Sequence, residues 1–353
     1  MLPLDCNPLP SASRRLKRPV SQLALVLTLG VLGVAACDDS SVPTQPDTPG
    51  ESAPALSVAA TANTWREAPA IYDSFIYGFD LGMAPNAAGQ SIVYAFGGTS
   101  SDEGGTGKAV QAYNVATETW TPKSSRASIF YSNGVAKLGS RLYFTGGYVT
   151  AGNLPDATRQ VWAYDYVHDR MIRRADLPIF SAEGVSGAIN GKLYVLPGAC
   201  NGNGWPNAGY CEVEQTRRFY RYDPKTNAWT AMRQSPHFHR QGAAAVLDGK
   251  LYVAGGFKDF NQAVADLDVY DPATNSWRTL APLPTAGVAH GDALNGQFYV
   301  VVGAHTYAYN RNTNRWRVRA APTTSPGSAT YVKLDGRARL FMATGGESAL
   351  YTP

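Results

Sequence analysis

Two kinds of apolar run alternate along this chain. The first is an apolar stretch, a polar turn, an aromatic-rich stretch and a closing glycine. It is clearest in AVLDGKLYVAGG (Ala245–Gly256) and AKLGSRLYFTGG (Ala136–Gly147). It recurs as AINGKLYVLPG (Ala188–Gly198), ALNGQFYVVVG (Ala293–Gly303) and KLDGRARLFMATGG (Lys333–Gly346), and a looser copy ends IVYAFGG at Gly98. The second kind is a Tyr-bearing run, a turn, then Trp: AYNVATETW to Trp120, RYDPKTNAW to Trp229, VYDPATNSW to Trp277 and AYNRNTNRW to Trp316. In AYDYVHDRM, Met171 stands at the Trp position. Short β-rich runs bounded by Asn, Asp, Gly and Pro predict strands and hairpins, and no long amphipathic helical period interrupts them.

Self-similarity at a fixed period predicts a repeat architecture. Residues 63–353 hold six copies of the first phrase, about 48 residues apiece, near the period of roughly 50 expected for a Kelch blade. The two phrases together resemble the Kelch repeat. That resemblance implies an all-β, six-bladed propeller of four-stranded blades. The glycine pair would end the second strand of each blade, and Tyr and Trp would sit on the third and fourth. The chemistry suits this. Paired glycines turn without a Cβ penalty. Trp between blades buries area that one sheet cannot cover alone, and Met171 can fill the same gap with a flexible apolar side chain. The last copy reaches Gly345-Gly346 and the run SALY, but the chain stops at Pro353 without a Trp. At the other end, NTWREAP (Asn63–Pro69) is a Trp run with no blade of its own. The N-terminal strand is therefore expected to complete the last blade and close the ring.

Residues ahead of the repeats predict an address. Arg14, Arg15, Lys17 and Arg18 precede an apolar run from about Leu23 to Ala36, shorter than the 20 or so residues of a spanning helix. The run ends Val34-Ala35-Ala36-Cys37, which resembles the bacterial lipobox. The resemblance implies a signal peptide over 1–36, lipid on Cys37 and an exported protein held on the cell envelope, on its periplasmic or surface face. Residues 37–62 are rich in Pro, Ser and Thr and predict a flexible linker. Removing 1–36 takes away four basic residues and one acidic one, so the formal charge falls from +4 to +1. A nearly neutral mature chain gives no electrostatic reason to bind nucleic acid, and a monomer is expected.

Two insertions interrupt the repeats, TSSDEGGTGKA after Gly98 and ACNGNGWPNAGYCEVEQTRR after Gly198. In an exported protein Cys200 and Cys211 predict a disulfide. The stiffened loop either presents Trp205 and Tyr210 to a ligand or is simply stapled. Aligning first strands sets His239, Arg240 and Gln241 beside Phe130, Tyr131 and Ser132 and beside Ser181, Ala182 and Glu183, with His290 near the same level. These residues are placed at the mouth of the central channel. A ring of Arg240, His239, Glu183, Tyr131 and His290 suits a polar, sugar-like or carboxylate ligand. Alternatively Arg240 fills the arginine position usual in Kelch repeats and pairs structurally. His237 and His239 share one face of a strand, but too few other ligands accompany them to predict a metal, and no motif calls for a cofactor.

Three functions compete. The leading one is a membrane-tethered binding or interaction module for a protein or carbohydrate ligand, which rests on fold-level analogy. The second is a carbohydrate-active enzyme. Six-bladed bacterial Kelch proteins include sialic-acid mutarotases, and here Glu183, Arg240 and His239 are the candidates for an acid–base pair. The third is a structural envelope protein.

Overall fold

The computed structural model describes residues 62–71, 76–100, 108–127, 129–151, 154–199, 217–258 and 262–353. Cys37, the signal and nearly all of the linker lie outside them, as does the segment carrying Cys200, Trp205, Tyr210 and Cys211.

The described residues form six four-stranded antiparallel sheets and two small ribbons. β1 (Thr64–Ala68) comes first and belongs to the last blade. Blade one is β2 (Ile76–Pro85), β3 (Ser91–Ser100), β4 (Lys108–Asn114) and β5 (Thr119–Ala127). Blade two opens with β6 (Val135–Leu138) and β7 (Arg141–Thr145). It passes through the ribbon β8 (Tyr148–Ala151) and β9 (Leu154–Ala157), and ends with β10 (Val161–Asp165) and β11 (Arg170–Arg173). Blade three is β12 (Val185–Ile189), β13 (Lys192–Leu196), β14 (Phe219–Asp223) and β15 (Ala228–Met232). Blade four has β16 (Ala243–Leu247) and β17 (Lys250–Ala254), the ribbon β18 (Phe257–Lys258) and β19 (Gln262–Ala263), then β20 (Leu267–Asp271) and β21 (Ser276–Thr279). Blade five is β22 (His290–Leu294), β23 (Gln297–Val302), β24 (His305–Asn310) and β25 (Arg315–Arg319). Blade six is β26 (Ser328–Leu334), β27 (Arg337–Ala343) and β28 (Ser348–Thr352), completed by β1.

The ring closes as the sequence predicts. β1 pairs with β28 from Thr64↔Thr352 to Ala68↔Ser348. First strands of successive blades lie side by side around the whole circuit, β26 meeting β2 to complete it. The chain is thus a six-bladed propeller, and its core is a set of inter-blade apolar layers.

One hairpin residue per blade explains how the layers hold register. In the fourth-strand turn a residue sits in the left-handed region: Asn63, Glu118, Asp169, Asn227, Asn275 and Asn314, with φ between 47° and 56°. Asn is favoured there because its short side chain bonds locally and tolerates that backbone. In blade four, Tyr270 Oη donates to Asn275 Oδ1 at 2.9 Å, and the same oxygen accepts Arg233 N from blade three at 3.0 Å. Trp277, opposite Tyr270, donates its indole N–H to Arg233 O at 2.8 Å. The set repeats at Asn227, Tyr222, Trp229 and Ala175, at Asn314, Tyr309, Trp316 and Ala281, and across the closure at Asn63, Tyr351, Trp65 and Ala320. Trp, then, is a packing residue with a hydrogen-bonding handle on the preceding blade.

Met171 occupies that position opposite Tyr164 and has no N–H to give. Asp169 compensates. Its Oδ2 accepts Ser124 N at 2.8 Å and Ser124 Oγ at 2.6 Å, and Oδ1 accepts Tyr164 Oη at 2.8 Å. Partial burial alone would raise this carboxyl, but the bonds from Ser124, Tyr164 and Ser125 outweigh it and hold Asp169 at about 2.

Two stability measurements check this account. Trp65→Ala, at a side chain 8% exposed, should lower the unfolding free energy in urea by about 3–5 kcal/mol. Asn275→Ala loses two accepted bonds and a left-handed preference, and should cost about 2 kcal/mol or more. A loss under about 0.5 kcal/mol at either position would contradict the assigned roles.

Candidate functional site

The six first strands surround a central channel of about 440 Å³, to which each blade contributes. At one end a mouth cavity of about 350 Å³ opens where the chain enters each first strand. Backbone geometry builds this mouth. Tyr131 N donates to Gly78 O, Glu183 N to Tyr131 O, Gln241 N to Glu183 O and Ala289 N to Gln241 O. These bonds link blades one to five edge to edge. Gly78, Tyr131, Glu183 and Gln241 all take left-handed backbone, with φ of 71°, 49°, 57° and 55°. Three of the four carry side chains for which that conformation is strained, and such strain concentrates where function needs it. In blade six, Ser328 pairs with Ala343 as Ala243 pairs with Ala254, so Pro326 occupies the position of Gln241. Proline has no N–H to donate, and here the cavity extends beneath the blade to Ala343, Thr344 and Gly345.

Glycine ends the second strand for a steric reason. Gly255 and Gly256 have φ of 66° and 98°, and a Cβ on Gly256 would strike Arg240 O.

The structure shifts the sequence alignment of blade two by one residue. Isolated bridges Phe130↔Tyr148, Ala182↔Ala199 and Arg240↔Phe257 put Arg240 level with Phe130 and Ala182. Tyr131, expected beside Arg240, is level with Glu183 and Gln241. The cause is one additional residue between Tyr131 and β6. Within it Asn133 is fully buried, and its Oδ1 accepts Ser181 Oγ and Gly184 N, each at 2.9 Å.

Tyr131, Glu183 and His290 line the mouth cavity. Arg240 stands behind it. Its Nε lies 2.6 Å from Glu183 Oε2 with both side chains largely buried, an electrostatic contact more than an aligned hydrogen bond. Gln241 Nε2 donates to the other Glu183 oxygen at 2.9 Å. A cation already matched by its own carboxylate is a poor anion receptor. Phe130, Tyr131 and Tyr148 form an aromatic cluster nearby, with ring centroids 5.7–6.4 Å apart.

His239 is not at the mouth. It is 1% exposed and turned into blade four, with Nδ1 2.9 Å from Gly255 O and Nε2 3.0 Å from Asp268 Oδ2. The side chain follows a buried acceptor, Asp268, which also meets His237 Nδ1 at 2.9 Å and Thr279 Oγ1 at 2.7 Å. Burial favours the neutral acid, yet the bonds from His239, Thr279 and His237 win, and Asp268 is held below the usual carboxylate range. The two histidines thus serve one carboxylate. Among the described residues no group of three His, Cys, Asp or Glu side chains could hold a metal ion.

Sequence reasoning missed two carboxyls. Asp80 lies on β2 and lines both mouth and channel, and Asp292 lies on β22 and lines the channel. Asp80 Oδ2 accepts Ser132 N at 2.8 Å and Oγ at 2.7 Å. Asp292 accepts Tyr331 N at 2.8 Å and Ala293 N at 2.7 Å. Burial pushes both up to about 6 against these bonds, and burial pushes His290 down to about 4. All three keep partial contact with channel solvent. The available signal was an acid inside an apolar first strand, in Phe79-Asp80-Leu81 and Gly291-Asp292-Ala293.

Comparison with known proteins agrees with this architecture. The KLHDC2/KLHL20/DRC7 Kelch-repeats domain model matches residues 82–303. The chain belongs to the Kelch-repeat family. It is 25% identical over 254 residues to human Kelch-like protein 23, covering 71% of this chain and 40% of that protein. It is 30% identical over 224 residues to an F-box/kelch-repeat protein of Arabidopsis thaliana, covering 61% and 56%. Against the Kelch-like proteins 23 and 25 it spans about two-fifths of their length. The solved structure of YjhT superposes with a TM-score of 0.61 at 16% identity, over 81% of this chain and 94% of that one, a likeness of fold.

The shifted carboxyls of this Kelch propeller give a signed pH prediction. Raised acids disfavour the folded state as they ionise, so stability should fall as pH rises from about 4 to above 6. The lowered His290 acts oppositely, withdrawing stability as pH falls from 6.5 through about 4. Asp80→Asn with Asp292→Asn should remove the loss at higher pH and leave the acid-side loss in place. Because the acids and His290 act oppositely over the same window, the difference between parent and variant reads them apart: the double variant's urea midpoint should gain on the parent's as pH rises from about 4 to above 6, and a difference that stays constant across pH 4–7 would contradict the shifts.

Proposed function

We propose that this chain is an exported, lipid-tethered Kelch propeller serving as a binding module for a protein or carbohydrate ligand received at the channel mouth. One observation carries the reading. A solvent-open cavity of about 350 Å³ gathers Asp80, Tyr131, Glu183, Gln241 and His290 from five blades onto a strained backbone ring. Concave sites with a few converging polar groups are where ligands bind. Kelch propellers commonly serve as interaction modules, which supports the same reading. The lipobox at Cys37 and the linker support the tether.

The perturbed carboxyls and His290 favour one second reading, a carbohydrate-active enzyme. In it Asp80 and His290 replace the acid–base candidates Glu183, Arg240 and His239, of which two form an ion pair and the third is buried elsewhere.

The test is a glycan array and an envelope-protein pull-down with the purified chain, followed by variants on any ligand found. Glu183→Ala should weaken it at least tenfold, because a bond to a charged group is worth about 1.5–3 kcal/mol. Affinity unchanged in both Glu183→Ala and Arg240→Ala removes the mouth as the site. Loss of binding on reduction of Cys200 and Cys211 moves it to that loop. A chain that retains nothing in either screen favours a structural role. Separately, labelling with a radiolabelled fatty acid should disappear in Cys37→Ser, and persistence refutes the anchor.

A further inference from the structure

The mouth cavity is uneven in a way that bears on ligand class. Among the described residues its lining holds two carboxyl groups, Asp80 and Glu183, and no lysine or arginine. Arg240, the nearest cation to Glu183, is already engaged with it. An anionic ligand would therefore face like charge with no cation among the described lining residues to offset it.

The remaining groups both give and accept hydrogen bonds. Asp80 uses Oδ2 for both Ser132 bonds, and no described residue donates to its Oδ1. His290 makes no hydrogen bond with any described residue, and burial keeps its ring neutral, with one N–H and one bare nitrogen. Ser328 Oγ accepts Leu81 N at 3.0 Å and keeps its own proton to donate. Asp80 and His290 belong to blades one and five, the two neighbours of blade six, where Pro326 interrupts the backbone ring and the cavity reaches Ala343, Thr344 and Gly345. Tyr131 also lines the cavity, its ring lying against Gly78 of blade one.

We infer that the mouth is a subsite for a non-acidic, hydroxyl-rich ring the size of one sugar unit, held by Asp80, His290 and Ser328. This rests on the mouth being the ligand site and names what it takes. Hydroxyls both donate and accept, which matches groups of both kinds. A carboxylate meets Asp80 and Glu183. The subsite thus selects against acidic sugars.

The test uses three matched probes with the full purified chain by calorimetry: methyl glucoside, methyl glucuronoside and methyl glucosaminide. The neutral glycoside should bind, the glucuronoside at least tenfold more weakly, and the glucosaminide no more weakly than the neutral probe, since Asp80 attracts its ammonium. Asp80→Asn keeps an acceptor and removes the negative charge, so it should narrow the gap between neutral and acidic probes several-fold. His290→Ala should weaken the neutral probe about tenfold. Thermal melts establish that each variant is folded, and Ser328→Ala repeats the test at a group with no charge to lose. Equal or tighter binding of the glucuronoside overturns the inference, as does a neutral affinity unmoved by both His290→Ala and Ser328→Ala. Binding of none of the three at millimolar concentration also overturns it. In that last case the wider reading of the mouth stands or falls on Glu183→Ala with a protein ligand.

Discussion

A propeller blade cannot bury its own two faces, so the fold depends on every blade finding neighbours on both sides. Closure of β1 onto β28 supplies the last pair. Trp65 packs against Tyr351 with ring centroids 5.1 Å apart, and its indole N–H reaches Ala320 O of blade five. Without that strand, blade six presents an open edge and blade five loses the cover over Tyr299 and Val301. The closure joins residues some 290 positions apart at Tyr351 and Asn63, so its entropic cost is met once and shared by all six interfaces.

The same stitch, repeated, makes the inner ring rigid enough to hold a strained mouth. Asn at the corner fixes four of the six blades to the one before, Asp169 does the same in blade two, and Trp seals the layer outside in every blade but that one. Inside, the backbone bonds from Gly78 through Ala289 hold Tyr131, Glu183 and Gln241 in left-handed conformations that no local preference of Tyr or Glu would choose. Rigid elements position polar groups more sharply than loops do, which is why a cavity framed by first strands can be selective.

The fold was legible because its determinants are periodic. The Gly phrase, the Tyr and Trp pairs and the orphan strand at Trp65 each announce themselves in one dimension. Even the exception at Met171 was visible, although its remedy, Asp169 bonded to Ser124, was not. The site was only partly legible. Glu183, Tyr131 and His290 were found because alignment carries a residue to the end of a strand. His239 was misplaced because the same alignment does not say which way a side chain turns, and the buried acceptor Asp268 decided it. One additional residue in blade two shifted Tyr131 by a place. Asp80 and Asp292 escaped because an acid inside an apolar strand looks like noise until the channel gives it a face.

Hydrogen exchange read by mass spectrometry tests the dependence on closure most directly. If closure holds the ring, amides of Trp65–Ala68 and Ala349–Thr352 exchange only with the first strands of all six blades, in one cooperative opening. Exchange of the β1 amides a hundredfold or more faster than those of β12, β16 and β22, with the latter still protected, would show that the ring stands without its last strand and would contradict the account.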